Sequence, residues 1–275
     1  VLFPIATQIM IINPSVHANL TELTKSFAAG TPKHVVIDNF FSQDIADGMH
    51  QHFPPADSLK VKRNSMNESK VEDYHFERWD PVFLKARNHI RTDAFCQWLS
   101  TLTGIDGLST PDNGLGSGIH QGSQGSYVDV HIDVNYDPAS KLWRRINLLV
   151  YLNPHWQEEW GGDLELWDPA MTDILHKVAP LHNRAIIFLT DDQAPHGYKA
   201  IDVPEGESRK SFYAYYFTQI GEGFTYSDSK FVSRPDDPWL RKQATKSKEF
   251  VKIHLKRLLE KMGLKVLDFQ DKNRF

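Results

Sequence analysis

His131, Asp133 and His196, followed by Arg209 and Ser211, are the residues of this chain whose types and spacing carry the most chemistry. Two imidazoles and one carboxylate around a metal leave three adjacent positions open. That geometry suits non-haem Fe(II) that must bind oxygen and an organic co-substrate together. A guanidinium fork takes a carboxylate bidentately, and a hydroxyl two residues on adds a further hydrogen bond. A lone His-x-Asp pair says little. With 13 histidines and 35 acids in the chain, roughly one His-x-Asp/Glu arises by chance, and His75-Phe76-Glu77 is such a decoy. The weight rests on the ordered set.

Those side chains need strands to aim them. Tyr127 to Asp133 alternates polar and apolar residues, the period of a half-buried strand. Residues i and i+2 share a face. His131 and Asp133 therefore point one way, with Tyr127 and Asp129, while Val128, Val130 and Ile132 point the other. His196 stands 63 residues beyond Asp133, after the apolar run 184–190 and the turn-rich 191–195, where it can fold back over the pair. The aromatic-rich 209–219 reads as a strand with Arg209 and Ser211 on one face and Lys210 on the other; the bland alternative is a surface arginine at a strand start. Further strands are expected near 117–122, 126–134, 143–152, 162–167, 184–190 and 196–202, a pattern that suits a sandwich or barrel. Asp137-Pro138, Asn153-Pro154 and Gly161-Gly162 mark turns. Asn147 and Tyr151 share a strand face and, with Gln121, His120, Tyr213 and Tyr215, are candidates to line a pocket; core packing is an equal alternative for each. Trp156 and Trp160 are read first as packing residues.

The flanks are read as supports. His34 to Phe41 is expected as a strand, and a helix starts after Ser42 and stops before Pro54-Pro55. Residues 56–80 are polar and mixed, without an expected regular structure. Residues 81–102 have the period of one helix, and 104–125 is glycine-rich, suggesting turns. From Pro238 the chain reads as a helix with an apolar stripe of Val251, His254, Leu255, Leu258, Leu259 and Met262 packed on the core and a basic outer face. The whole is expected to be a single domain over 1–275, with supports in 1–116, the catalytic core in 117–220 and a helical extension in 221–275.

As a set, His131-Ile132-Asp133, His196-Gly197 and Arg209-Lys210-Ser211 resemble the Fe(II)/2-oxoglutarate-dependent oxygenases, in the branch similar to prolyl 4-hydroxylases. The flanks 144–153 and 161–167 are similar to that family too, and the likeness covers roughly residues 34–220. It implies a mainly β fold with flanking helices around a double-stranded β-helix (jelly-roll, cupin-like) core. It also implies Fe(II) on His131, Asp133 and His196, and 2-oxoglutarate held by Arg209 and Ser211, with Asn147, Tyr151 and Gln121 as further binding candidates. Molecular oxygen is the other co-substrate and ascorbate a candidate reductant. The implied reaction hydroxylates an unactivated C–H bond of a protein or peptide residue, or of a small molecule, and releases succinate and CO2. Asp133, in place of a small residue, argues for hydroxylation over halogenation. The 13 residues from His196 to Arg209 are a longer gap than in many prolyl hydroxylases. A jelly-roll metal-binding or sensor module without redox chemistry needs the triad but not Arg209, and is the alternative. A bare interaction scaffold is a third.

Composition narrows the classes. A net charge of −4 gives no electrostatic case for a nucleic-acid partner. One cysteine, Cys96, rules out an internal disulfide framework and fits a reducing, cytoplasmic setting. No stretch reaches the roughly 18 apolar residues of a membrane span. The apolar start, 1–12, lacks a basic leader region and is expected to pack onto the core.

Overall fold

The computed structural model describes residues 10–111 and 116–261, with side chains of the last helix described as far as Leu255. The chain opens with helices α1 (Pro14–Ala18) and α2 (Leu20–Ala29), then strand β1 (His34–Ile37) and helix α3 (Gln43–Gln51). A hairpin follows, β2 (Val61–Asn64) and β3 (Glu68–Asp73), and then helices α4 (Pro81–Ile90) and α5 (Asp93–Thr103). The β-rich part holds β4 (Ser117–Gly122), β5 (Tyr127–Ile132), β6 (Tyr136–Asp137), β7 (Leu142–Tyr151), β8 (Leu164–Trp167), β9 (Ile174–Val178), β10 (Arg184–Leu189), β11 (His196–Tyr198) and β12 (Arg209–Thr218). Strand β13 (Lys230–Phe231) and helix α6 (Trp239–Lys261) close the described chain. The strands join in the order β1-β10-β7-β12-β4-β3-β5-β11-β8-β9, with β13 on β5, β2 on β3 and β6 on β7. All the pairings are antiparallel, and the sheet curls into a nearly closed barrel of jelly-roll type. Among the described residues no helix is long and apolar enough to cross a membrane.

The central strands are apolar on both faces because both faces are covered. On β7, Ile146, Leu148 and Val150 join the core shared with helices α2 to α5, while Leu149 and Tyr151 face the barrel interior. Strand β10 divides the same way, Ala185 and Ile187 outward and Ile186 and Phe188 inward. On β12, Phe212, Ala214 and Tyr216 take the helix side, leaving Arg209, Ser211, Tyr213 and Tyr215 for the interior. Each fully buried aliphatic side chain contributes about 1.5–3 kcal/mol of transfer free energy, so the helix layer is what fixes the wall carrying Arg209.

Several sequence expectations need correction. Residues 81–102 form two helices. The first ends at Ile90, Thr92 caps the second by accepting from Phe95 N–H at 3.3 Å, and Asp80 caps α4 through Val82 N–H at 2.9 Å. The β1 strand stops at Ile37 because Asn39 turns the chain at φ 53°. The hairpin β2–β3 lies in the stretch expected to be irregular; its inward side chains are charged, so no apolar alternation marks it. Strand β9 is an edge strand with its three middle residues exposed, and it is not among the expected strands. Helix α6 packs through polar residues, with Thr245 and Glu249 buried, whereas Val251 is 61% and Leu255 44% exposed. The expected apolar stripe therefore does not face the core; the side chains of Leu258 and Leu259 and the whole of Met262 lie outside the described residues. Ile12 joins the core as expected of the apolar start, of which residues 1–9 lie outside the description. The stretch 104–125 contains β4, and its residues 112–115 are likewise outside.

Candidate metal centre and anion pocket

Strand β5 and the residue that follows it deliver two of the three side chains, His131 and Asp133. His131 pairs with His196 of β11 on one side and with Phe231 of β13 on the other. Between Val128 and His131 the strand spends three steps against two on β11, from Tyr198 to His196, which is a β-bulge. The bulge shifts the alternation by one residue. Val128 and His131 therefore line the same cavity, and Val128 does not point away as simple alternation requires. Tyr127 and Asp129 leave the ligand face: the Tyr127 hydroxyl donates to Ser65 O at 3.1 Å, and the Asp129 carboxylate meets Asn67 Nδ2 at 3.0 Å and Arg241 Nη2 at 2.9 Å.

His131, Asp133 and His196 converge. Candidate ligand atoms of the three lie within 4.8 Å of one another, with His131 Nε2 3.6 Å from Asp133 Oδ1 and His196 Nε2 3.8 Å from Asp133 Oδ2. His131 Nδ1 lies 3.0 Å from Asp129 O, and His196 Nδ1 lies 2.9 Å from Ala194 O. A carbonyl only accepts, so each Nδ1 carries a proton and each Nε2 is the ring nitrogen turned to the shared point. Burial, then the neighbouring His131, pushes the His196 pKa down to about 4. Burial alone would raise Asp133, but the adjoining His131 and His196 side chains hold it well below the carboxylate range. Asp133 Oδ2 is buried without a hydrogen-bond partner. Two imidazoles that turn Nδ1 to a backbone carbonyl and Nε2 to a shared point, beside a carboxylate with a spare oxygen, fit a divalent cation.

Behind this centre an inner pocket is walled by Arg209, Ser211, Asn147, Leu149, Leu164 and Tyr215. The Arg209 Nε donates to Gly162 O at 2.8 Å, and its guanidinium lies 4.1 Å from the Tyr198 ring centre and 4.8 Å from that of Tyr151. Its Nη2, Tyr151 Oη, Asn147 Oδ1 and Gln121 Oε1 are all buried without a partner. A buried donor of positive charge left open is costly, and an entering carboxylate satisfies it. Gln121 also lines this pocket but gives its amide to Ser208 Oγ at 2.9 Å. Lys210 turns away, as alternation requires, and its backbone N–H donates to Asn153 Oδ1.

An outer chamber opens on the other side of His131, walled by Arg63, Lys70, Glu72, His120, Arg144 and Phe231. His120 stacks on Tyr213 at 4.2 Å between ring centres and approaches Glu72 Oε2 at 3.3 Å. Burial and Lys70 push its pKa down to about 4. Glu72, which burial would raise, is held well below its ordinary value by Lys70, His120 and Arg63. Tyr213 and Tyr215 line the chamber too. Sequence reasoning missed Arg63, Lys70, Glu72 and Arg144, and nothing in their local pattern marks them. Trp156 is buried with Val128 and Tyr198 and donates to Gly161 O at 2.9 Å, a packing role. Cys96 is buried in α5, where desolvation raises its thiol to about 11. The decoy His75 bonds Asp73 at 2.7 Å and does not join the cluster.

Comparison with known proteins places these features. Residues 117–217 match the model of the 2OG-Fe(II) oxygenase superfamily. Prolyl 3-hydroxylase OGFOD1 of Mus musculus is 26% identical over 189 residues, covering 67% of this chain and 32% of that protein. The chain thus spans about a third of the length of this curated relative. The crystal structure of a Pseudomonas putida prolyl-4-hydroxylase superposes with a TM-score of 0.55 at 17% identity, covering 74% of this chain and 100% of that one. The prolyl hydroxylase of Trichoplax adhaerens, solved with a hypoxia inducible factor peptide fragment, gives 0.53 at 18% identity, covering 74% and 91%. These two likenesses show a shared fold.

Proposed function

We propose, from the premise that residues 117–217 make this chain a member of the 2OG-Fe(II) oxygenase superfamily, that it is a 2-oxoglutarate-dependent dioxygenase acting on a peptidyl residue. In this reading His131, Asp133 and His196 hold Fe(II), and Arg209 with Ser211 takes the distal carboxylate of 2-oxoglutarate. Bound iron with 2-oxoglutarate and O2 supplies the oxidising power, and succinate and CO2 leave as co-products. The protein's own residues do the rest. The Nδ1 protons of the two histidines are spent on backbone carbonyls, which aims both Nε2 lone pairs at one point. Arg209 is braced by Gly162 and two tyrosine rings and offers its free Nη2. Apolar Leu149, Leu164 and Val128 exclude water from the pocket between them.

The observation that carries this reading is the pairing of a preset three-ligand cluster with a buried guanidinium in the adjoining pocket whose Nη2 has no partner. A metal-binding module without redox chemistry has no use for the second. Prolyl hydroxylases among the relatives support a proline-bearing protein or peptide as the substrate class. The test has two parts. Adding 2-oxoglutarate without oxygen to the Fe(II)-loaded chain gives a visible metal-to-ligand charge-transfer band, and aerobic incubation with proline-containing peptides converts 2-oxoglutarate to succinate in step with hydroxyproline. His131→Ala and Asp133→Ala abolish both signals. A metal-loaded chain with no band refutes the co-substrate assignment, and a band without peptide-dependent turnover refutes the substrate class.

A further inference from the structure

Asp129 stands two residues before His131, and every polar group it has is engaged. Its backbone N–H donates to Asn67 O at 2.7 Å, and its carbonyl is the acceptor for His131 Nδ1 at 3.0 Å. Its buried carboxylate accepts from Arg241 Nη2 at 2.9 and 3.0 Å, from Asn67 Nδ2 at 3.0 Å and from Arg234 Nη1 at 3.4 Å. Arg234 is itself tied to Glu165 Oε2 at 2.8 Å. Two distant parts of the chain therefore meet on one carboxylate, the β2–β3 turn and the segment from Arg234 into α6, and Arg234 ties the second of them to β8. On the other side Gly197 presses on the same peptide. A Cβ at Gly197 would lie 2.6 Å from Val128 O and 2.8 Å from Asp129 C and O. The carbonyl that orients His131 is thus held by the arginines through its own side chain and by the β11 backbone from behind.

We propose that Asp129, Arg241 and Arg234 form a positioning assembly for His131, so that α6, which lies beyond the matched segment 117–217, contributes to the metal centre. The inference rests on the metal reading above. The bulge gives the 129–130 peptide freedom that a regular ladder denies it, and the charge-assisted bonds to the carboxylate remove that freedom. With the carbonyl fixed, His131 is kept as its Nδ1–H tautomer and its Nε2 stays aimed at the position shared with Asp133 and His196. Outer partners of this kind tune metal affinity by orienting the ligand. The same ion network acting only as a strut for α6 would change stability and leave His131 untouched.

The test uses the full chain with Arg241→Ala and Arg241→Lys. The Arg241 side chain is 36% exposed, so water can fill the space left by truncation. Imidazole nitrogen NMR of the metal-free protein reads the tautomers directly. The parent shows Nδ1–H at both histidines, whereas Arg241→Ala gains an Nε2–H population at His131 and keeps His196 unchanged. Titration with Co(II) then shows a dissociation constant about tenfold higher for Arg241→Ala, with most of the loss restored by Arg241→Lys. A folded Arg241→Ala whose His131 tautomer matches the parent, with Co(II) affinity within about twofold, overturns the proposal even if its melting temperature falls. If Arg241→Ala does not fold, Asp129→Asn is judged by the same two readouts. A parent that binds no Co(II) overturns the metal reading and this proposal with it; a parent that binds Co(II) and is matched by Arg241→Ala in both readouts overturns this proposal alone.

Discussion

Truncating Arg209 is the sharpest probe of the inner pocket. In the free protein its Nε is satisfied by Gly162 O at 2.8 Å, while Nη2 is buried without a partner. The proposed carboxylate guest is what completes its hydrogen bonding. Removing one partner of a buried, hydrogen-bonded charge pair costs about 2–5 kcal/mol. The lower half of that range applies, because Ser211 remains and the other end of 2-oxoglutarate is still held at the metal. A loss of about 3 kcal/mol corresponds to a rise of roughly 150-fold in Kd. Arg209→Lys keeps a point charge but loses the fork and the brace on Gly162, and costs about 1.5 kcal/mol, roughly tenfold. The assay is anaerobic titration of the Fe(II)-loaded protein with 2-oxoglutarate, followed by the charge-transfer band, beside a separate measurement of metal affinity. Metal affinity stays within about twofold, since Arg209 is no part of the ligand cluster. A rise in the 2-oxoglutarate Kd of less than about threefold for Arg209→Ala refutes the anchor, and a parallel loss of metal binding shows that the substitution damaged the fold.

Three further outcomes follow from the same geometry. Gly162 has φ 76°, and a Cβ there would lie 2.7 Å from Ile201 Cγ2 and 3.3 Å from Arg209 Cδ; Gly162→Ala therefore displaces Arg209 and weakens 2-oxoglutarate binding more than metal binding, and equal loss of both in the two titrations contradicts this. His196 and His120 are each pushed down to about 4 from an ordinary 6.5, chiefly by burial, and His34, His50 and His89 are lowered in the same direction. Between those values the unfolded chain takes up protons that the folded chain refuses, so stability of the metal-free protein falls as pH drops from 6.5 towards 4. Asp133 and Glu72, held below the carboxylate range, continue the fall at lower pH. Thermal melts across this range show the decline, His120→Gln makes it shallower, and a flat profile refutes it. Leu148, fully buried between β7 and the helix layer, loses about 2–5 kcal/mol on Leu148→Ala, read by urea denaturation, with metal affinity retained because its side chain points away from the cavity.

The barrel was legible wherever strand faces are apolar. The expected strands near 143–152, 184–190 and 209–219 match β7, β10 and β12 to within a residue or so, because helices cover one side and the interior core the other. It was illegible where a strand turns charge inward. Lys70 and Glu72 on β3 face the outer chamber, so the alternation that marks a strand is absent from the very strand that joins the two halves of the sheet. The pairing of His131 and Asp133 on one face was readable from period two, since both lie beyond the bulge. The faces of Tyr127, Val128 and Asp129 were not, because one extra residue in β5 reverses every side chain before it. That reversal sends Asp129 to the arginines. A carboxylate in a His-containing strand looks like a ligand candidate from local sequence alone, and its actual partners, Arg234 and Arg241, stand more than a hundred residues away. Local pattern can thus nominate the side chains that converge, while the residues that hold them in place are set by register and by contacts from beyond the barrel.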